Sequence, residues 1–229
     1  MNFDMNTVLF ALYPYIAIAV CVIGCWVRFD REQYTWRAGS SQLMRTRGMV
    51  VASNCFHIGI LFILAGHFVG LLTPEAIYHH VISTEAKQIL AMASGGFFGV
   101  VCLVGLAMLL HRRITDPRVS ATGTRGDLAV LVLLGIQLLL GLATIFASMQ
   151  HLDGSVMLML AGWAQSIVTF QPAQAAAYIA NVHIIYKLHV FFGISIVLVL
   201  PFTRLVHIIS APIWYFGRGY QIVRQKKAY

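Results

Sequence analysis

SNCFHIGILFILAGHFVG (Ser53–Gly70) decides the fold. These 18 residues contain no Asp, Glu, Lys or Arg, and the uncharged run around them extends from Gly48 to Pro74. About 20 apolar residues suffice for a helix to cross the hydrocarbon of a bilayer. The run is long enough, and it has no polar stripe that would suit one face to water. It nevertheless holds two histidines, His57 and His67. A second stretch has the same character: KLHVFFGISIVLVLPFTRLVHI (Lys187–Ile208), with His189 and His207.

Composition agrees with a membrane reading of the whole chain. Of 229 residues, 59% are hydrophobic and only 10% are charged, where a soluble domain carries about 25% charged residues. An ordinary soluble enzyme, a disordered protein and a secreted disulfide scaffold are excluded. Sixteen Lys+Arg against eight Asp+Glu give a net charge of +8. In a soluble chain that excess would suggest nucleic acid. In a membrane chain it reports sidedness, and no nucleic-acid partner is expected. Cys21, Cys25, Cys55 and Cys102 all lie in apolar runs and read as small buried hydrophobes. No C-x-x-C-H is present, which excludes covalent c-type haem attachment. MNFDMNTVLF has no basic n-region, so the first apolar segment is expected to be retained.

Five spans follow from the uncharged runs: 7–27, 48–73, 88–110, 128–150 and 181–209. They predict a single all-α domain over 1–229, a bundle of five transmembrane helices. With the N-terminus outside and the C-terminus inside, fourteen of the sixteen Lys and Arg fall on the inner side. Only Lys87 and Lys187 are left outside, as the positive-inside rule asks. Gly154–Gln174 is apolar enough to suggest a sixth span. That span would carry the basic tail RGYQIVRQKK outside, so the stretch is read as a short helix at the outer face.

Ionisable groups within spans are costly and mark function. His79, His80 and His151 fall in outer segments, His111 at an inner helix end and His183 at the start of the fifth span. His57, His67, His189 and His207 fall inside spans. The second and fifth spans are antiparallel, which pairs His57 with His207 near the inside and His67 with His189 near the outside. Ten residues between His57 and His67 make about 15 Å of rise, and eighteen between His189 and His207 about 27 Å. Eighteen residues is a whole number of turns, so the latter two share a face of a continuous helix. Pro201 is expected to kink that helix.

Two histidines facing each other across a helix pair suit a flat iron macrocycle, and helix bundles build such sites in their cores. Zinc fits less well, since it takes about four clustered ligands. Gly59, Gly66, Gly70 and Gly193 would let a large ring approach the backbone, or would serve ordinary helix packing. A histidine relay in a haem-free transporter and a structural anchor for soluble subunits are the competing classes.

Several stretches together carry a more specific resemblance: LYPYIA (Leu12–Ala17), QYTWRAGSSQ (Gln33–Gln42), SNCFHIGI (Ser53–Ile60), GHFVGLLTP (Gly66–Pro74), EAKQ (Glu85–Gln88), GWAQSIVTF (Gly162–Phe170), LHVFFG (Leu188–Gly193) and PFTRLVHI (Pro201–Ile208). Over nearly its whole length the chain resembles the gamma subunit of membrane-bound respiratory nitrate reductase, a dihaem cytochrome b that oxidises quinol. The resemblance implies two haem b, the inner held by His57 and His207 and the outer by His67 and His189. It puts Lys87 and Gly66 at the quinol site. Arg112, Arg113 and Arg204 become possible partners of haem propionates, beside the simpler reading as inner-side anchors. The implied partners are an iron–sulfur beta subunit and a molybdenum-containing alpha subunit on the cytoplasmic side, with menaquinol or ubiquinol in the lipid. The implied location is the cell inner membrane. Dihaem anchors of formate dehydrogenases or hydrogenases are the nearest alternative. Pro172–Ala180 matches no part of the family pattern and is given no role.

Overall fold

The structure is a computed structural model and describes residues 4–37, 44, 47–210, 217 and 219. Most of RGYQIVRQKK and the AGSSQ part of QYTWRAGSSQ lie outside the described residues. Among the described residues every regular element is helical. Five helices are long and apolar enough to cross a membrane. They are α1 (Met5–Arg31), α2 (Arg47–Leu72), α4 (Thr84–Thr115), α6 (Arg125–Ser148) and α9 (Ile184–Val199, with a 3₁₀ extension through Phe202). Between them lie α3 (Glu75–Tyr78), α5 (Pro117–Ala121), α7 (Ser155–Val168) and α8 (Pro172–Ala180).

The long helices pack side by side in the order α2, α4, α6, α9, α1. The α7–α8 pair joins the two ends of this series, α7 against α2 and α8 against the start of α1. It closes one end of the bundle, called here the capped end. The other end carries Arg28, Arg112, Arg113, Arg125 and Arg204 and is the basic end. Large apolar side chains such as Trp26, Leu61, Phe68 and Phe146 are exposed. A soluble fold would bury them, whereas lipid solvates them at no cost.

Small residues let α2 and α4 approach closely. A Cβ on Gly105 would strike the Phe56 backbone, and one on Gly59 would stand 2.7 Å from the Cys102 nitrogen. Cys102 is fully buried in this seam and its Sγ contacts the Phe56 carbonyl at 3.6 Å, the packing role expected of it.

At 14 residues, α7 is about 21 Å long, too short for a hydrocarbon core of about 30 Å. Gly154–Gln174 thus holds a short helix and not a sixth span, as expected from sequence. The helix is anchored by a defect in α1. Residues Val8–Leu12 of α1 form a π turn just before Pro14. Proline has no N–H, so the Phe10 carbonyl loses its helical donor. The Trp163 indole N–H of α7 donates to it instead, at 2.8 Å. Tyr15 donates to the Ile167 carbonyl at 3.1 Å, and Gln165 to the Leu71 carbonyl at the end of α2 at 3.0 Å. Phe10, Ile179, Val182 and Tyr186 form a buried apolar cluster beneath these bonds. Pro172–Ala180, given no role from sequence, supplies Ile179 to that cluster as part of α8.

The fifth span departs from the expected 181–209 helix. Its α-helix ends at Val199, a 3₁₀ turn follows through Phe202, and Thr203 is extended (φ −124°, ψ 177°) before a second 3₁₀ turn, Arg204–Ile208. Pro201 ends the helix instead of kinking it. The shared-face arithmetic for His189 and His207 holds only for an unbroken helix and does not apply across this break.

Candidate functional site

The capped end brings two of the four intramembrane histidines together. His67 lies five residues before the end of α2 and His189 five residues after the start of α9, so both stand about 8 Å in from their helix ends. Their ring centroids are 6.0 Å apart and their planes are tilted by 44°. His57 is ten residues into α2 from the basic end, and His207 lies on the 3₁₀ turn beyond the break. His57 has Phe56 as an edge-on ring neighbour at 5.3 Å.

Hydrogen bonds set the tautomers. The Nδ1 of His57 lies 2.7 Å from the Ser53 carbonyl, that of His67 2.8 Å from the Ile63 carbonyl, and that of His207 2.7 Å from the Arg204 carbonyl. A carbonyl oxygen only accepts, so each Nδ1 carries the proton and each Nε2 keeps its lone pair. This is the arrangement of a histidine that ligates a metal through Nε2. The Nδ1 of His189 is buried and has no hydrogen-bond partner among the described residues. Gly141 of α6 packs against this ring: a Cβ there would stand 3.0 Å from His189 Cε1.

The His67–His189 pair fits a bis-histidine haem. A metal-bound imidazole nitrogen sits about 2.0–2.1 Å from the ion and about 1.1 Å from its own ring centre, so two rings sharing one ion from opposite sides stand roughly 6.3 Å apart. The His67–His189 pair is close to that separation before any adjustment. On α2, Gly66 and Gly70 have open space where a Cβ would project, which suits a wide flat ring against that helix. The other two glycines considered from sequence serve helix contacts: Gly59 meets Cys102, and Gly193 meets the Gln137 side chain. Among the described residues no three His, Cys, Asp or Glu side chains group as a metal site; His67 and His189 form a pair.

Lys87 is in the first turn of α4, which begins at Thr84 and not at residue 88. Ser83 caps it, its Oγ accepting the Ala86 N–H at 3.3 Å, and that cap extends the helix one turn beyond the apolar run. The Lys87 Nζ is buried, has no hydrogen-bond acceptor among the described residues, and lies 3.5 Å from the centre of the Tyr78 ring. A cavity of about 320 Å³ adjoins Tyr78 and is lined also by Glu75, Gln165 and Tyr178.

The arginines at the basic end are engaged by the chain itself. Arg112 donates to the Met44 carbonyl at 2.7 Å. Arg113 pairs with Asp127 at 2.7 Å, and Arg204 stands 4.0 Å from the same carboxylate. Burial lowers the pKa of Arg204, against the opposing effect of Asp127, and a guanidinium stays charged through a shift of that kind. His183, read from sequence only as interfacial, caps α9 by accepting the Ile185 N–H at 3.3 Å.

Five apolar helices of spanning length, with His67 of one facing His189 of another, define a multi-pass membrane subunit. The chain belongs to the nitrate reductase gamma subunit family, whose model matches residues 6–226. It is 51% identical over 222 residues to the respiratory nitrate reductase 1 gamma chain of Escherichia coli (strain K12), covering 97% of this chain and 98% of that one. It is 50% identical over 223 residues to the respiratory nitrate reductase 2 gamma chain of the same strain, with the same coverage. It is 31% identical over 220 residues to the nitrate reductase gamma chain of Bacillus subtilis (strain 168), covering 96% of this chain and 98% of that one. The protein is thus a multi-pass inner-membrane subunit of a respiratory nitrate reductase complex.

Proposed function

We propose that this subunit is the quinol-oxidising dihaem cytochrome b of its complex. The observation that carries the reading is the His67–His189 pair, with ring centres 6.0 Å apart. His67 and His189 hold one haem b at the capped end, taken as the outer side. His57 and His207 hold the other at the basic end, taken as the cytoplasmic side. Bound there, haem b supplies one-electron transfer between the quinol side and the partner side of the membrane.

The chain's own groups do the rest. The carbonyls of Ser53, Ile63 and Arg204 keep each Nδ1 protonated and each Nε2 free. Lys87 presents N–H donors to the oxygen of a quinol whose tail stays in lipid, and Gly66 keeps the wall beside His67 open. A cationic donor there favours the negative charge that develops as the quinol proton leaves. The basic end receives the iron–sulfur beta subunit, beyond which lies the molybdenum-containing alpha subunit.

Haem quantitation against inserted protein tests the reading. Two extractable haem b per chain are expected, and a ratio near one, or haem that resists acid–acetone, would overturn it. Lys87→Ala should slow haem reduction by quinol about ten- to a hundredfold, the worth of one charge-assisted hydrogen bond of about 1.5–3 kcal/mol. Reduction by dithionite should be unchanged. Wild-type quinol rates would remove Lys87 from the site.

A further inference from the structure

We infer that Tyr78 is the positioning residue of Lys87, its ring face holding the ammonium where its N–H groups can meet a quinol oxygen; this rests on the role proposed above for Lys87. The geometry is specific. The Nζ stands 3.5 Å from the Tyr78 ring centre. It is buried, and among the described residues nothing accepts a hydrogen bond from it, the Glu75 carboxylate attracting it only from beyond bonding distance. A buried ammonium with unused donors is costly unless something attracts it. An aromatic face attracts a cation through its quadrupole and takes none of its hydrogen-bond donors. A carboxylate in the same place would hold the lysine just as well and would consume the donors a substrate needs. The ring is the kind of partner that fixes a lysine and leaves it able to donate.

The ring is itself fixed. Tyr78 is 8% exposed, and Thr84 beside it 5%. The Thr84 hydroxyl donates to Glu75 Oε1 at 3.3 Å. Having spent its one proton, that hydroxyl can only accept from the Tyr78 O–H, 3.3 Å away. Gly154 (φ +79°) packs on the other side of Thr84, where any Cβ would collide with the threonine methyl. The turn between α6 and α7 therefore pins Thr84, Thr84 pins Tyr78, and Tyr78 holds Lys87. Thr84 and Lys87 are three residues apart on one face of α4, so the pinned residue and the positioned one share a rigid turn.

The test uses the whole complex in membranes, with menadiol as the quinol. Lys87→Ala, Tyr78→Leu, Tyr78→Phe and the Tyr78→Leu/Lys87→Ala double variant are compared. Dithionite-reducible haem per inserted protein is the control for assembly. Tyr78→Leu should keep both haems, lower kcat with menadiol about three- to thirtyfold, and weaken menadione binding to the oxidised complex. Tyr78→Phe keeps the face and loses only the hydroxyl, and should restore most of the lost rate. In the Lys87→Ala background Tyr78→Leu should add less than about twofold, since the two act as a unit. Should the leucine variant assemble poorly, Tyr78→Met removes the face at similar volume and is judged by the same outcomes.

Equal losses in Tyr78→Phe and Tyr78→Leu would overturn the proposal, as would a full additional loss in the double variant. Loss of haem in proportion to loss of rate in both face-less variants would make Tyr78 merely structural and overturn it too. If Lys87→Ala slows menadiol oxidation and Tyr78→Leu does not, this inference fails alone. If Lys87→Ala runs at the wild-type rate, the quinol-site role of Lys87 fails first.

Discussion

Individual histidines in this protein differ by what holds them. His57, His67 and His207 are oriented by a carbonyl three or four residues earlier in their own turn. His189 is oriented by packing against Gly141 of the neighbouring helix. The two modes predict different vulnerabilities. His67→Ala and His189→Ala should remove one and the same haem, and His57→Ala and His207→Ala the other, when haem loss is normalised to inserted protein and followed by redox titration. Gly141→Leu should reproduce the His189→Ala result with all four histidines intact, because the new side chain would occupy the place of that ring. Loss of the same haem from His57→Ala and His67→Ala would show the pairing to be wrong. The spacing of the four histidines was legible in the sequence. Gly141 was not, since a glycine in an apolar run looks the same whether it faces lipid, a helix or an imidazole.

Breaks in helices carry the specialised features at the level of elements. Pro14 frees the Phe10 carbonyl, and Trp163 of α7 takes it. The break after Val199 frees carbonyls in the same way, and Arg28 of α1 takes two, those of Pro201 at 2.6 Å and Thr203 at 2.8 Å. Gly24, one turn earlier, admits the Pro201 ring: a Cβ there would stand 2.9 Å from it. Arg28 thus anchors the turn that carries His207. Arg28→Leu should remove two charge-assisted bonds, each worth about 1.5–3 kcal/mol. It should shift or empty the haem of His57 and His207 while leaving the His67–His189 haem unchanged. Arg28→Lys should recover part of the effect: one ammonium can repeat the two bonds that Arg28 makes from Nη1, but not those that its Nε and Nη2 donate to Thr35. Equal change at both haems, or none, would deny Arg28 this part. Pro201 was visible in the sequence as a kink. The full end of the helix was not, because it depends on an acceptor–donor match between residues 173 positions apart.

At the scale of the molecule, five helices of spanning length are an odd number, so the two ends of the chain are expected on opposite sides of the membrane. A reporter fused after Tyr229 should report the cytoplasm and one fused before Met1 the outer compartment, as the distribution of Lys and Arg requires. An outer signal at Tyr229 would reverse that assignment. The sequence by itself determined the class: five uncharged runs of spanning length, the short apolar stretch between the fourth and fifth, and four histidines within two of those runs. These are local quantities, set by run length against bilayer thickness and by the cost of an ionisable group in hydrocarbon. Only the tertiary structure decided that α7 and α8 close one end, that His67 and His189 meet ring to ring, that Lys87 rests on Tyr78, and that the fifth helix stops at Val199. Each of these is a contact between segments far apart in the chain. In lipid, where apolar faces are interchangeable, such contacts are chosen by close packing of small residues and by the partners that freed carbonyls find, and neither leaves a periodic mark on the sequence.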